Sequence, residues 1–204
     1  MKSSKLNNEE PKHFWNQRYL SEDTGWDLGE VSPPIKSYID QLSDKNIRIL
    51  IPGCGNAHEA EYLLKSGFTA ITLLDIAPSL VQNLHDKFKG NPNIKIVPGD
   101  FFQHQNKYDL ILEQTFFCAL NPALRSDYIN KMHDLLSLKG KLAGLLFASD
   151  FEKAGPPFGG NSEDYQKLFS PKFELKTFEN CHNSFVKRQG NELFIILKKK
   201  AKQL

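Results

Sequence analysis

The fold of this chain is decided by the stretch Arg48-Ile49-Leu50-Ile51-Pro52-Gly53-Cys54-Gly55, in which an apolar run ends in a tight glycine turn. A polar, helix-like segment follows, and a second apolar run, 71–74, ends in the carboxylate of Asp75. Because Asp75 lies about twenty residues beyond Gly55, the pattern predicts a βαβ unit with an acid at the tip of its second strand. Units of this kind bind nucleotides through the ribose, although the third glycine of the usual pattern is missing here. The stretch therefore predicts a nucleotide-type ligand without identifying it.

Composition indicates a soluble protein of one domain. Its 204 residues are 40% hydrophobic and 25% charged, which is ordinary for a globular domain with a real core. The net charge is +2 and the charges are intermixed, so we expect no nucleic-acid partner. No apolar run is long enough to span a bilayer, so we expect no membrane partner. We predict a disordered polar tail at 1–12, a single domain over 13–204, and a monomer.

The chain lacks the side-chain groupings that bind metals or form covalent intermediates. Cys54, Cys118 and Cys181 lie far apart and form neither a metal-ligand spacing nor an even disulfide set. We therefore expect no metal site and a reducing, cytoplasmic location. No serine lies in a nucleophile elbow, and no His-x-x-x-His or Cys-x-x-Cys motif occurs. A pocket without its own nucleophile is typical of enzymes whose cofactor carries the reactive group.

Apolar periodicity and turn signals predict an alternation of strands and helices. Helices are predicted at 14–20, 33–42, 57–66, 78–88, 121–136 and 162–169, and strands at 47–51, 69–74, 94–97, 108–112 and 142–147. A closing hairpin is predicted from 173–179 and 192–197. This order predicts an α/β, Rossmann-like fold: a mostly parallel seven-stranded sheet with an antiparallel C-terminal hairpin strand and helices on both faces.

Ligands of such sheets bind beyond the carboxyl ends of the strands, which directs attention to three positions. Gly53 and Gly55 allow the backbone to approach a ligand closely, or they form a plain turn. Asp75 can accept two ribose hydroxyl groups, or it caps the next helix. Asp100 can accept from an adenine amino group while Phe101 packs on the base, or these two residues form a turn and part of the core.

The fourth predicted strand ends in Glu113, and Gln114-Thr115-Phe116-Phe117 then crosses the pocket mouth. Since neighbouring side chains point apart, we expect one of Phe116 and Phe117 to lie in the core. No catalytic base is assigned, and Glu113 is the nearest candidate.

Four blocks of the chain carry a family resemblance that extends over about residues 14–197. They are Phe14-Trp15-Asn16-Gln17-Arg18-Tyr19 with Thr24-Gly25-Trp26-Asp27-Leu28-Gly29, then Ile51-Pro52-Gly53-Cys54-Gly55, then Tyr108-Asp109-Leu110-Ile111 through Phe116-Phe117-Cys118-Ala119-Leu120-Asn121-Pro122, and finally Gly155-Pro156-Pro157-Phe158. In these blocks the chain resembles the class I S-adenosylmethionine-dependent methyltransferases. More narrowly, it resembles the thiopurine methyltransferase-like family, and within it the halide/thiol (harmless-to-ozone-layer) branch.

The resemblance implies S-adenosylmethionine as cofactor and S-adenosylhomocysteine as product. It implies that Trp15, Tyr19 and Trp26, within an N-terminal segment at 13–45, form a lid whose aromatic faces attract the sulfonium. It also implies that Gly53, Asp75, Asp100 and Phe101 contact the cofactor, and Gly55 and Gln114 complete our cofactor-binding set. Gln114 departs from the family pattern, because the halide/thiol branch tends to have tyrosine there and the thiopurine branch arginine. Tyr19 stands where tryptophan is common.

The resulting hypothesis is methyl transfer to a small sulfur or halide nucleophile, such as a thiol, hydrosulfide or iodide. Halide and hydrosulfide anions need no general base, and they gain reactivity in a dry aromatic pocket. We expect this pocket to be lined by Trp26, Gln114, Phe116, Phe117 and Phe158. The alternatives are a thiopurine or other aromatic-thiol S-methyltransferase, an NAD-dependent oxidoreductase, and a non-catalytic nucleoside-binding module.

Overall fold

In the computed structural model, which describes residues 10–151 and 155–201, seven strands form one sheet. The strands are β1 (Ile49–Pro52), β2 (Ile71–Asp75), β3 (Ile94–Pro98), β4 (Tyr108–Gln114), β5 (Leu136–Phe147), β6 (Phe173–Asn180) and β7 (Glu192–Lys199). Their spatial order is β3-β2-β1-β4-β5-β7-β6. The first five pair in parallel, and β7 runs antiparallel to both of its neighbours. The predicted fold class is therefore confirmed.

Helices cover both faces of the sheet. They are α1 (Pro11–Leu20), α2 (Pro33–Asp40), α3 (His58–Lys65), α4 (Pro78–Lys87), α5 (Arg125–Leu135) and α6 (Ser162–Phe169). Proline occupies the first turn of α1, α2 and α4, where its fixed φ suits a helix start. One buried cluster joins α2, α3 and α4 to the sheet, and a second joins α5 and α6 to it. Within the described ranges, no helix is long and apolar enough to cross a membrane.

The side chains of β1 show how the strand serves both clusters. Ile49 and Ile51 belong to the first cluster and Leu50 to the second, because successive strand residues point to opposite faces. All three are almost fully buried. A strand that is buried on both faces reads as a continuous apolar run, which is why the sequence identifies it.

The predicted boundary between α5 and β5 is wrong. The sequence pattern extends the helix to 136 and begins the strand at 142, whereas α5 ends at Leu135 and β5 begins at Leu136. Gly140 lies inside the strand rather than after a helix. A Cβ at this glycine would lie 2.9 Å from the carbonyl oxygen of Tyr108, so glycine permits a close approach of β4 and β5 here.

We define the N-terminal arm as α1 and the loop that follows it up to Ser32. The arm packs against α4. Pro11 and Lys12, which the sequence pattern assigns to the tail, belong to α1, and residues 1–9 lie outside the described residues. The side-chain oxygen of Asn16 accepts a 2.8 Å hydrogen bond from the backbone N–H of Ser79 at the start of α4.

Candidate functional site

A cavity of about 1320 Å³ lies at the carboxyl ends of β1, β2, β3 and β4, with the N-terminal arm on one side. This is the position at which doubly wound sheets bind their ligands. The cavity brings together seven of the predicted cofactor-binding residues, namely Trp15, Tyr19, Trp26, Gly53, Asp75, Asp100 and Phe101. Two predicted substrate residues also line it, Phe116 and again Trp26.

The turn after β1 has a backbone that only glycine adopts readily. Gly53 has φ +55 and Gly55 has φ +51, in the left-handed region. A Cβ on Gly53 would lie 2.3 Å from the Cδ2 atom of Phe116, so the space above this glycine admits no side chain. Glycine at this position therefore lets the ring of Phe116 pack directly against the backbone of the turn.

Asp75 ends β2 and faces the cavity with spare hydrogen-bonding capacity. Its Oδ1 accepts from the backbone N–H of Ala77 at 3.0 Å, and its Oδ2 accepts weakly from the N–H of Gly55 at 3.4 Å. A carboxylate accepts about four hydrogen bonds, so positions remain for a pair of hydroxyl groups. The carboxylate is only 7% exposed, and this burial raises its pKa to about 6.

Asp100 and Phe101 follow β3 and have structural contacts of their own. The Oδ1 of Asp100 accepts from the backbone N–H of Phe102 at 2.9 Å and so caps a short turn of 3₁₀ helix. The ring of Phe101 is buried and meets the ring of Phe116 edge-on, with centroids 5.1 Å apart. Both residues still line the cavity, so the capping role and a ligand role are compatible.

Three aromatic rings of the N-terminal arm form one group over the cavity. The ring centroids of Trp15 and Trp26 are 5.4 Å apart, and those of Tyr19 and Trp26 are 5.7 Å apart, both edge-on. Burial and the nearby Asp75 charge raise the pKa of Tyr19, so its hydroxyl stays neutral. The guanidinium of Arg18 stacks over Trp26, 5.0 Å from the centroid.

The loop of the arm is held against the glycine turn by Asp27. The Oδ1 of this aspartate lies 2.7 Å from the Nε2 of His58, and its Oδ2 accepts from the side-chain amide of Asn56. The backbone N–H of Gly29 also donates to it. These hydrogen bonds lower the pKa of Asp27 despite its partial burial, so it stays ionised.

Glu113 at the end of β4 organises the segment that follows. Its Oε1 accepts from the backbone N–H groups of Phe116 and Phe117, each at 2.8 Å, and its Oε2 accepts from the hydroxyl of Tyr128 at 2.6 Å. The side chain is fully buried, which raises its pKa to about 7. Because Glu113 does not line the cavity, it is a positioning residue rather than a general base.

The two neighbouring phenylalanines separate, as their spacing predicts. Phe116 lines the cavity, whereas Phe117 is 1% exposed and packs in the core. The ring of Phe117 contacts Tyr128 and Tyr165, with centroids 5.0 and 5.3 Å away. The structure thus places Phe117 away from the substrate pocket that we expected it to line.

Three other predicted residues lie beside the main cavity rather than on its wall. Gly55 and Gln114 line a smaller cavity next to it. The side chain of Phe158 lines neither of the two cavities, and its backbone N–H donates to the carbonyl of Cys118 at 2.7 Å. Its neighbours Pro156 and Pro157 do reach the main cavity.

Arg188 also lines the main cavity, and sequence reasoning missed it. It ends a short 3₁₀ segment between β6 and β7 and is only 7% exposed. Its Nη2 donates to the carbonyl of Trp26 at 2.6 Å, and its Nη1 lies 3.4 Å from the Oε1 of Glu192. The guanidinium also stacks on Phe147, 5.4 Å from the centroid. Because Arg188 and Trp26 are 162 residues apart in the chain, their contact leaves no local sequence signal.

Comparison with known proteins agrees with this geometry. The family model described as thiopurine S-methyltransferase (TPMT) matches residues 10–202. Probable thiol methyltransferase 2 of Arabidopsis thaliana is 33% identical over 172 residues, covering 82% of this chain and 76% of that protein. Thiocyanate methyltransferase 1 of Brassica oleracea is 28% identical over 184 residues, which cover 87% of this chain and 81% of that protein. Thiopurine S-methyltransferase of Acinetobacter baylyi is 27% identical over 203 residues, which cover 87% of this chain and 92% of that protein.

Solved structures show the same fold at much lower identity. The 1,6-didemethyltoxoflavin-N1-methyltransferase of Burkholderia thailandensis, solved with bound 1,6-didemethyltoxoflavin and S-adenosylhomocysteine, superposes with a TM-score of 0.74 at 15% identity. The match covers 98% of this chain and 94% of that one. The sheet and its site are thus those of a class I S-adenosylmethionine-dependent methyltransferase. Within that class, the chain belongs to the thiopurine S-methyltransferase family.

The residues at the cavity fit this cofactor. The glycine turn lies on the cavity wall at Gly53, and Asp75 has free acceptor positions at the strand tip. The aromatic rings of the arm provide surfaces of the kind that attract a sulfonium cation.

Proposed function

We propose that this enzyme transfers the methyl group of S-adenosylmethionine to a small sulfur or halide nucleophile, such as a thiol, hydrosulfide or iodide. The observation that carries the proposal is Arg188, a buried cation on the wall of a cavity that also carries apolar and aromatic groups. The names of the relatives, thiol methyltransferase and thiocyanate methyltransferase, agree with a small sulfur nucleophile.

The cofactor-binding roles follow from position. We assign the ribose hydroxyls to Asp75, the adenine to Asp100 and Phe101, and the close backbone contact to the glycine turn. The rings of Trp15, Tyr19 and Trp26 exclude water from above. When bound, the cofactor supplies an electrophilic methyl group on a sulfonium sulfur.

The protein needs no general base if the methyl acceptor arrives as an anion. Arg188 carries five N–H donors, of which the contacts with Trp26 and Glu192 use two, so donors remain for an anion. Phe147, on which the guanidinium stacks, provides apolar surface together with Phe116 and Cys118 of the same cavity, and this surface removes water from the nucleophile. The protein therefore contributes orientation, charge neutralisation and dehydration.

An aromatic thiol is the second candidate, because one observation favours it. The cavity of about 1320 Å³ exceeds the range of roughly 300–1,000 Å³ that a site for one drug-sized ligand occupies. A ring-bearing thiol therefore has room beside the cofactor. The thiopurine S-methyltransferase relatives carry this activity in their names.

A panel of methyl acceptors tests the proposal. The purified enzyme is incubated with S-adenosylmethionine and either iodide, thiocyanate, hydrosulfide or a thiopurine. Volatile methyl products are measured in the headspace, and the methylated thiopurine is measured in solution by chromatography. We expect methyl iodide, methyl thiocyanate or methanethiol to form with a higher kcat/KM than the methylated thiopurine. Turnover of the thiopurine alone would overturn the proposal in favour of the second candidate, and absence of turnover on the whole panel would overturn both.

We also propose a monomeric, cytoplasmic enzyme that acts without nucleic acid, with residues 13–204 as its one domain. Three free, buried cysteines agree with a reducing compartment, and the net charge of +2 agrees with a small-molecule substrate. Light scattering after size exclusion would give the mass of one chain, and the mass of two chains would contradict the monomer.

A further inference from the structure

Arg125 lies at a position where a cation does not stabilise a helix. It is the first residue of α5, and the N-terminal end of a helix carries the positive end of the helix dipole. Its side chain is half-buried, and no acid forms an ion pair with it in the described part of the chain. Its Nε is buried and has no hydrogen-bond partner among those residues. Because such a cation is unfavourable there, its contacts indicate a role beyond the stability of the helix.

The guanidinium of Arg125 holds a loop, which we define as the proline loop, residues 155–160 between β5 and α6. Its Nη2 donates to the carbonyl of Gly159 at 2.7 Å. Its Cζ lies 4.9 Å from the ring centroid of Phe117 and 5.3 Å from that of Tyr165, and both rings are buried. Arg125 therefore connects the proline loop to the core.

Two backbone hydrogen bonds hold the proline loop in the same place. The N–H of Phe158 donates to the carbonyl of Cys118 at 2.7 Å. The N–H of Gly160 donates to the carbonyl of Ser149 at 3.1 Å. A Cβ on Gly160 would lie 2.4 Å from the hydroxyl oxygen of Tyr165, so glycine lets the loop pack directly on that ring. The loop is thus in close contact with the core.

The proline loop forms part of the cavity wall. Pro156 and Pro157 line the main cavity, and so does Cys118. The loop follows β5, and the segment with Cys118 follows β4. In the sheet, β4 and β5 lie on one side of β1, whereas β2 and β3 lie on the other. Because the adenosine is assigned to Asp75 and Asp100, at the ends of β2 and β3, the proline loop borders the half of the cavity that remains for the methyl acceptor.

We infer that Arg125 is a positioning residue that sets the size of the methyl acceptor, because it holds the proline loop against the core and so limits the width of the acceptor half of the cavity. The inference rests on the proposed methyl transfer and on the proposed adenosine position. Arg125 itself lines neither cavity, so it acts through the loop. A fixed wall favours a small nucleophile, because it excludes water and restricts the direction from which the nucleophile approaches the methyl group.

Arg125→Met tests this role, because methionine keeps the length of the side chain and its packing on the two rings but cannot donate to Gly159. Hydrogen exchange measured by mass spectrometry reports on the proline loop, in which the amides of Phe158 and Gly160 are hydrogen-bonded. Kinetics with hydrosulfide, ethanethiol and thiophenol report on acceptor size. Calorimetry measures the affinity for S-adenosylhomocysteine.

Two further variants accompany R125M. Gly160→Ala displaces the loop from the other side without changing a charge, because its Cβ meets Tyr165. It gives the same readouts if R125M does not fold. Arg48→Met is the control, because Arg48 pairs with Asp109 through two hydrogen bonds at the amino ends of β1 and β4, opposite the cavity.

We expect R125M and G160A to speed amide exchange in the proline loop and to lower the ratio of kcat/KM for hydrosulfide to that for thiophenol by about tenfold. The affinity for S-adenosylhomocysteine should stay within about twofold of the wild type, and R48M should change none of these quantities. Unchanged exchange overturns the inference. Faster exchange with an unchanged ratio also overturns it, since the loop would then have a structural role only.

Failure of the proposed function gives a different result. A wild type that methylates none of the three acceptors would refute methyl transfer to a small sulfur nucleophile. The exchange measurement would still decide whether Arg125 holds the proline loop, because it does not depend on turnover.

Discussion

At the scale of single residues, the site depends on buried polar groups that keep free hydrogen-bonding positions. Asp75 is the main example, because two backbone N–H groups orient its carboxylate while its other lone pairs face the cavity. The same backbone contacts hold the acid in place before any ligand binds. Asp75 is therefore preorganised, which lowers the entropy that ligand binding must overcome.

The first prediction concerns this carboxylate. Asp75→Ala should lower the affinity for S-adenosylhomocysteine by about 1–3 kcal/mol, because the ribose hydroxyls lose a charged acceptor. Calorimetric titration measures the change, and circular dichroism checks the fold. Asp127→Ala, an exposed acid in the first turn of α5, is the control and should leave the affinity unchanged. Unchanged affinity in folded Asp75→Ala would refute the ribose role.

The second prediction concerns Arg188. Replacing Arg188 alone leaves the buried Glu192 without its cation and destabilises the fold. The double variant R188Q/E192Q removes both charges, so the loss of the cation from the cavity can be measured without an unpaired buried acid. This variant should raise the KM for anionic methyl acceptors by about tenfold, because a charged hydrogen bond is lost. The KM for S-adenosylmethionine should change little. A KM that rises equally for both substrates would indicate that Arg188 acts only by holding the arm at Trp26.

The sequence reveals site residues that follow a strand, and it does not reveal those whose contacts lie far away in the chain. The sequence predicts Gly53, Asp75 and Asp100 because each lies at or just beyond the carboxyl end of a strand, and parallel strands end at one edge. The sequence assigns Phe117 to the pocket because spacing predicts that two neighbouring side chains separate without showing which one turns inward. The structure shows that Phe117 packs against Tyr128 and Tyr165. The sequence does not reveal Arg188, because its environment forms only when distant segments meet.

At the scale of elements, turns and caps explain both the predicted and the missed boundaries. The bounds of α6 agree with the prediction, because the side chain of Asn161 accepts from the N–H of Asp164 at 2.9 Å and marks the helix start. The start of β5 has no such marker, since the backbone passes from helix to strand between Leu135 and Leu136 without a turn residue. Local signals therefore identify elements with caps better than direct junctions.

The third prediction concerns the glycine turn. Gly53 and Gly90 both have positive φ, +55 and +73, but only Gly53 has a close neighbour, the ring of Phe116. Alanine at either position should cost about 1 kcal/mol for the backbone conformation. Gly53→Ala should cost about 1–3 kcal/mol more, because its Cβ displaces that ring, and it should also weaken S-adenosylhomocysteine binding. Urea unfolding and calorimetry measure both effects; equal losses in the two variants would contradict the packing argument.

The fourth prediction concerns the aromatic arm. Trp26→Ala should lower kcat/KM about 3-fold to 30-fold, because the ring that shields the cofactor is removed. The melting temperature should change by only a few degrees, since Trp26 is half-buried and its carbonyl contact with Arg188 is retained. Phe14→Ala in the same arm is the control, because Phe14 packs on Trp15 without lining the cavity. A Trp26→Ala chain that unfolds would show that this ring acts mainly in packing.

At the scale of the whole molecule, the sheet separates two apolar clusters and Glu113 lies fully buried at the end of its fourth strand. This carboxyl group joins β4, the segment with Phe116 and Phe117, and Tyr128 of α5. Its hydrogen bonds lower its pKa, but burial outweighs them and raises the pKa from 4.5 to about 7. The group that fixes the pocket wall is thus also sensitive to pH near neutrality.

The fifth prediction follows from that pKa. Between pH 4.5 and about 7, the folded state keeps the proton on Glu113 while the unfolded state has released it. The free energy of unfolding that this group contributes is therefore complete at low pH and is lost as the pH rises through about 7. The shift corresponds to a change on the order of 3 kcal/mol.

Glu113→Gln isolates this contribution, because glutamine can accept from the two backbone N–H groups and donate to the oxygen of Tyr128 without titrating. Urea unfolding at pH values from 5 to 8 should show that the stability of the wild type falls relative to E113Q as the pH rises, whereas the raised pKa of Asp75 affects both chains alike. Glu163→Gln, an exposed pair with Lys167, should follow the wild type. If the free energies of unfolding of wild type and E113Q differ by the same amount at every pH, Glu113 stays in one protonation state. Its three hydrogen bonds, rather than its burial, would then decide its charge.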